Sequence, residues 1–261
     1  MKPLYIYFLA ASLACTSCSD SWLDLNPSTS VPTDQAFSSL EDAQSALNGI
    51  YRLASAHSYY GDNFFYFGDC RAADVQARMT KGDGRRVSPY YEYNVKATDS
   101  FNSSLPWNQV YKVIRQTNNL IAATESGLIK TTDEAALNEI KAQALAMRGL
   151  ALYDLIRVFA MPYSYDNGQS LGVPIVTTAT DQSSKPARNT VAECYDQIIT
   201  DLTNSLAGLS KEKKDGCLNY WAVQGILSRV YLNKLDYPNA YKAATDVIEN
   251  SKSLYQLYTR D

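Results

Sequence analysis

The sequence predicts an all-α protein built of helical hairpins and joined by long aromatic-rich loops, on three observations. Apolar residues recur every three or four positions from Ala43 to Ala54, Trp107 to Ile121, Leu137 to Val158 and Tyr195 to Leu209. Two of these stretches open on a hydroxyl residue with an acid three positions later, Ser39 with Asp42 and Thr190 with Glu193, the pattern of a capping box. The last two helical stretches, about Asn219–Leu235 and from Pro238 to about Asn250, are separated by a very short break.

The chain has 261 residues, 24 Lys+Arg against 27 Asp+Glu and a formal net charge of −3. That length allows one large domain or two small ones. Apolar residues make up 46% and charged residues 20%, the balance of an ordinary globular protein rather than a disordered one. With no long Lys/Arg block, no nucleic-acid partner is expected. The single histidine, His57, rules out any metal site needing two imidazoles. There are 20 tyrosines against 7 phenylalanines and 3 tryptophans. Tyrosine joins a large apolar body to a polar tip, so the surplus favours core edges and surfaces that meet polar partners.

The N-terminus reads as an address. Met1-Lys2 is a short positive start, and Leu4 to Ala14 is apolar but well short of the about 20 residues that span a bilayer. Residues 1–17 are therefore a signal peptide, with the mature chain at 18–261. Cys18, preceded by Thr16-Ser17 and followed by a polar stretch, is the preferred lipidation site, with Cys15 the alternative. An ordinary secretory signal with cysteines near the cut is the blander reading. Cys70, Cys194 and Cys217 remain in the body; three cannot all pair, none lies in a CxxC, and buried free thiols are expected.

The helices follow in order. Ser39 caps the first, whose Ala43, Leu47, Ile50 and Ala54 share a face. Residues 58–100 break the pattern with Tyr59-Tyr60, Phe64-Phe65-Tyr66-Phe67, the glycines of KGDGRR and Tyr90-Tyr91-Glu92-Tyr93, and read as loop with short extended pieces. Helical order returns at Pro106-Trp107 and ends at Gly127. Thr131–Glu134 opens the longest helix, to about Ala160, which at ~1.5 Å per residue spans roughly 40 Å, a length natural in stacked hairpins. Pro162 stops it, residues 161–189 connect, and Thr190 caps the next helix.

In the closing pair, Leu227, Ser228, Tyr231, Ala240, Ala244 and Val247 fall at the spacing with which tetratricopeptide hairpins bring two helices into close contact. The expected fold class is thus all-α, with tetratricopeptide-like hairpins of the right-handed α-solenoid type.

Four segments resemble the SusD/RagB family of outer-membrane nutrient-binding lipoproteins. They are Cys18-Ser19-Asp20-Ser21-Trp22-Leu23-Asp24 with Pro27; Trp107 to Ile114 ending in Asn118-Asn119; Ala144 to Arg157 continuing to Gly172-Val173-Pro174; and Thr190 to Tyr195 leading into the closing hairpin. They occur in the family's order over nearly the whole chain. The resemblance implies a lipid-anchored protein of the outer membrane, facing the cell exterior. It would capture oligosaccharides or similar nutrients as a lid over a SusC-like, TonB-dependent transporter, with no cofactor and no catalysed reaction. Family members normally continue in a long loop-rich region after the last hairpin. On that basis 18–261 is expected to be the N-terminal helical part, with the C-terminal region missing.

Glycan recognition needs flat aromatic faces for sugar C–H surfaces and planar polar groups for hydroxyl pairs. The segment Lys81–Tyr93 offers Arg85, Arg86, Tyr90, Tyr91 and Tyr93, the candidate ligand residues. The same alternation equally fits the two faces of a strand, one of them buried. Trp107 reads as packing, His57 as an exposed or capping residue, and Phe64–Phe67 as core. No phosphate loop of the GxxxxGK type and no GxSxG elbow occurs, so catalysis is not expected. The rival function is a helical-repeat scaffold at the outer membrane that binds protein and has no glycan site of its own.

Overall fold

Capping places the helices where the sequence puts them. The computed structural model describes residues 37–72, 88–94, 106–178, 184–251 and 254–255, all in the unit Phe37–Asp261. The first helix, α1 (Leu40–Ala54), starts on the expected capping box: the Ser39 hydroxyl accepts from the Asp42 N–H at 3.1 Å and the Asp42 carboxylate accepts from the Ser39 N–H at 3.0 Å. A cap of this kind is worth about 0.5–2 kcal/mol. Ala43, Leu47, Ile50 and Ala54 form the buried face.

Residues 58–100 depart from the expected loop with extended pieces. Where described, the segment is helical: one wide turn at His57–Gly61, then α2 (Asn63–Arg71) and a single turn, α3 (Ser88–Tyr91). The wide turn closes where the Gly61 N–H donates to the Ala56 carbonyl at 2.9 Å. A Cβ on Gly61 would lie 2.8 Å from the Ala56 backbone, so only glycine fits. The helicity was hidden because α2 has no side-chain cap and its aromatic run lacks a helical period. Ring contacts hold it instead. Tyr59 and Tyr60 stack at 4.2 Å between centroids, and Phe64 meets both edge-on. Phe64 and Phe67 are half-buried and Phe65 is exposed, so the run edges the core rather than filling it.

The helix α4 (Trp107–Glu125) opens directly after Pro106 and ends before Gly127, whose φ is +71°. Then α5 (Glu134–Phe159), 26 residues long, starts where the Asp133 carboxylate accepts from the Ala136 N–H at 3.0 Å. It is the central helix, packing on α1, α4, α6 (Val191–Ser205) and α7 (Tyr220–Asn233). Its expected stripe is buried from Leu137 to Leu155. Gln143, Arg148, Tyr153 and Asp154 on other sides are buried as well, as a helix surrounded by neighbours requires. The Thr190–Glu193 capping box opens α6 as expected.

The last hairpin pairs α7 with α8 (Tyr237–Asn250), Pro238 lying in the first turn of α8. The reversal uses Leu235 at φ +65°, with the Asp236 N–H bonded to the Tyr231 carbonyl at 2.9 Å. Leu227 and Val230 on α7 and Ala240 and Ala243 on α8 are buried. Ala243 rather than Ala244 is the buried small residue of this stretch, Ala244 being half-buried. Cys70 and Cys194 are buried free thiols, and Cys217 is free and half-buried. Among the described residues no helix is long and apolar enough to cross a membrane.

One polar cluster sits inside this packing. Arg148 on α5 donates through Nε to Asp201 Oδ2 at 2.8 Å and through Nη2 to Asp201 Oδ1 at 2.6 Å, joining α5 to α6. Its Nη1 reaches Asn118 Oδ1 on α4 at 2.9 Å and the Thr177 carbonyl at 3.1 Å. Asn118 in turn donates to the carbonyls of Val176 and Thr178. A buried charge left without its partner is costly, by about 3–5 kcal/mol. Arg148→Met alone should therefore destabilise the fold by about that amount, while Arg148→Met with Asp201→Leu should recover most of the loss. Urea unfolding of the two variants checks this; a single variant within about 1 kcal/mol of the parent would remove the pair from its central place.

Candidate functional site

The sequence-named ligand residues divide sharply. Arg85 and Arg86 lie outside the described residues, as do Cys15 and Cys18. Tyr90 and Tyr91 belong to α3, a helical turn rather than a strand, and Tyr93 follows it at φ +54°. Tyr90 is 4% exposed and packs edge-on against Phe67 at 5.6 Å. Its place is structural. Tyr91 is half-buried, and Tyr93 is 69% exposed.

Arg71, at the end of α2, ties this turn down. Its carbonyl accepts the Tyr93 hydroxyl. Its guanidinium lies 4.8 Å from the centre of the Phe67 ring and 5.9 Å from that of Tyr93. The left-handed backbone at residue 93 turns the chain so that Tyr93 stands outside while Tyr90, three residues earlier, faces in. The result is an exposed aromatic face beside an exposed planar cation. That pairing can stack on the C–H face of a sugar and offer a fork of donors to neighbouring hydroxyls. The sequence did not single out Arg71.

A second cluster, on which the first depends, was also missed. The Asp154 side chain, wholly buried on α5, accepts hydrogen bonds from the Tyr59 hydroxyl at 2.6 Å, from the Tyr60 hydroxyl and from Arg157 Nη2. Arg157 lies 5.3 Å from the centre of the Phe64 ring and 4.7 Å from that of Tyr153. Asp154 thus anchors the wide turn and α2 on the central helix. An acid inside the apolar run Ala151–Ile156 is the signal that would have found it. His57 is exposed, its Nδ1 2.7 Å from the Asp62 carboxylate. Trp107 packs edge-on against Phe159 at 4.9 Å, as the packing reading expects. It also lines an open cleft of about 360 Å³ with Tyr111, Arg115 and Pro174. Among the described residues no cluster of His, Cys, Asp and Glu is placed to hold a metal.

Comparison with known proteins places these features. Residues 21–232 match the SusD-like family model described as starch-binding and associating with the outer membrane. A SusD-like protein of Bacteroides ovatus is 26% identical over 96% of this chain and 45% of its own length. One of Formosa agariphila is 30% identical over 96% of this chain and 47% of its own length. The chain thus spans about half the length of the curated relatives it matches. Among solved structures, a SusD superfamily protein from Bacteroides thetaiotaomicron is 64% identical with a TM-score of 0.80, over 84% of this chain and 48% of the other. A putative sugar-binding protein from Bacteroides vulgatus is 37% identical with a TM-score of 0.74, over 83% of this chain and 47% of the other. A laminarin-binding SusD-like protein, 18% identical, shares the fold with a TM-score of 0.69 over 85% of this chain and 47% of its own.

The buried tyrosines, Tyr59 and Tyr60 of the Asp154 cluster among them, also set the response of the fold to alkali. Burial pushes the hydroxyls of Tyr51, Tyr59, Tyr60, Tyr111 and Tyr195 above the ordinary tyrosine value of 10.0, and Asp154 adds to the rise at Tyr59 and Tyr60. The unfolded chain releases these protons first. The stability they contribute is therefore complete below about pH 10 and falls as pH climbs from there toward the raised folded values. Urea midpoints should hold steady near pH 8 and drop by about pH 11, with tyrosinate absorbance appearing together with unfolding. Tyrosinate in full yield before any loss of helix would contradict the burial described here.

Proposed function

Because this chain belongs to the SusD/RagB family, we propose that it is a surface-exposed, glycan-binding lipoprotein that works with a SusC-like, TonB-dependent transporter in carbohydrate uptake. The observation that carries this reading is the family match over residues 21–232, whose description is starch binding at the outer membrane. The solved structure described as a putative sugar-binding protein, 37% identical to this chain, supports it. In this reading residues 1–17 direct export, Cys18 (or Cys15) carries the lipid, and 18–261 forms the N-terminal helical part. The protein binds and hands on its ligand without catalysing a reaction, and takes neither a cofactor nor nucleic acid.

Tyr93 supplies the stacking face and Arg71 its neighbouring donors; Tyr91, Arg85 and Arg86 are the further ligand residues, with Tyr90 holding the turn from behind. The alternative is a helical-repeat scaffold that binds protein through its hairpins and has no glycan site of its own.

Titration of the full chain with maltoheptaose and with a laminarin oligosaccharide separates the two. Glycan capture predicts measurable binding that Tyr93→Ala weakens by about ten-fold, equivalent to about 1.4 kcal/mol, and that Tyr90→Phe leaves unchanged. Absence of binding to both sugars, with retention of a membrane partner on purification, would favour the scaffold. Separately, Cys18→Ala should release the protein from the membrane fraction. Continued labelling of that variant with palmitate would move the anchor to Cys15.

A further inference from the structure

The closing hairpin carries a second set of rings and hydrogen-bonding groups that the Tyr93 surface does not use. Tyr220, Gln224 and Tyr231 recur at helical spacing along α7, and Asp246 and Asn250 lie one turn apart on α8. Together with Tyr241 they line an open groove of about 800 Å³. Asp246 is fixed in it. Its Oδ2 accepts from the Tyr220 hydroxyl at 3.0 Å and from Gln224 Nε2 at 2.9 Å, and its Oδ1 accepts from Asn250 Nδ2 at 2.9 Å.

All three donors are neutral, and among the described residues no cation stands within ion-pair distance of this carboxylate. An ionised carboxylate has about four acceptor sites, so one is left for a ligand. Lys211 holds Tyr220 from the other side, its Nζ 4.7 Å from the centre of that ring, while Lys242 also borders the groove. In the groove's own lining Lys242 and Asp246 carry opposite single charges, so neither an anion nor a cation is favoured. Tyr241 is 74% exposed and offers a free ring at the rim. A fixed acceptor, side-chain amides, one exposed tyrosine ring and two half-buried ones around a net-neutral groove suit a polyhydroxylated, uncharged ligand.

We propose that this groove is a second glycan-binding site, separate from the Tyr93 surface, which takes a neutral glucan oligosaccharide through Asp246 and the rings of Tyr231 and Tyr241. The proposal rests on the reading of the chain as a glycan-binding protein, but places binding on helices that this reading does not use. The same carboxylate ties α7 to α8 through Tyr220 and Gln224, which holds it in place at the groove.

The test is calorimetric titration of the full chain with maltoheptaose and, separately, a laminarin oligosaccharide. Two binding events per chain are expected with at least one of them. Tyr241→Ala and Asp246→Asn should each weaken one event by five-fold or more and leave the other, while Tyr93→Ala should do the reverse. Tyr241 is exposed, so its replacement keeps the fold intact and guards against a misfolded Asp246 variant. A single event abolished by Tyr93→Ala and untouched by Tyr241→Ala and Asp246→Asn would overturn the groove and leave the glycan reading standing. A single event weakened by the two groove variants alone would keep the groove and remove the Tyr93 surface. Binding of neither sugar to the parent chain would overturn both.

Discussion

The ion pair between Arg148 and Asp201 is the constraint around which the helices are arranged. Both side chains are almost wholly removed from water, at 9% and 2% exposure. Burying an arginine and a carboxylate costs several kcal/mol per ion unless their hydrogen bonds are remade inside. Here they are remade by specific partners: Asn118 from α4, the Thr177 carbonyl from the connection before α6, and Gln197, whose amide donates to Asp201 at 3.0 Å. Each partner comes from a different element, so satisfying the pair fixes α4, α5, α6 and the 175–178 segment at one mutual setting. Apolar packing alone would tolerate sliding of these helices. The fork of the guanidinium does not. Gly149 completes the arrangement, because a Cβ there would come within 2.9 Å of the Leu202 side chain and hold α5 and α6 apart where the pair must form.

With α5 so placed, its far end becomes the mount for the aromatic segment. Asp154 repeats the logic of Arg148 with mixed partners: a buried charge that needs donors and draws two neutral tyrosine hydroxyls and a charged arginine onto itself. The wide turn and α2 have no cap and no apolar period of their own, so their position depends on that carboxylate and on ring contacts. Arg71 then passes the constraint from α2 to Tyr93. The exposed ring is thus held at the end of a chain of charged and aromatic contacts reaching back to the core. A ring positioned in this way has little freedom left to lose, which is what a ring would need if it served as a stacking face.

The division between what could and could not be read from the sequence follows the range of the interactions. Helices set by local contacts were legible: the Ser39–Asp42 and Thr190–Glu193 boxes, the helix start within Thr131–Glu134 and the proline at 238 all act within one turn. The helix at Asn63–Arg71 was not, because its support comes from Asp154, more than eighty residues away. The same holds inside the site. Tyr90 and Tyr93 are the same residue type in the same short segment, and nothing local says that one is 4% exposed and the other 69%. The difference arises from Phe67 on one side and a left-handed backbone on the other. Arg148 and Asp201 were legible only as members of helices; their pairing joins positions 53 residues apart.

The excess of tyrosine noted at the outset now has a physical account. In a bundle whose central helix carries buried polar groups, phenylalanine would leave acceptors unsatisfied. Tyrosine fills the same volume and brings a donor. Tyr51 donates to Gln143 while accepting from the Leu218 N–H, Tyr59 and Tyr60 donate to Asp154, and Tyr111 donates to the Pro174 carbonyl. At the surface the same residue type serves the opposite need, since Tyr93 and Tyr241 keep an apolar face in water without being driven to bury it. A protein that must hold polar groups inside and present flat rings outside meets both demands with one side chain. The tyrosines that stabilise the bundle and those that stand in water are therefore separated by position alone.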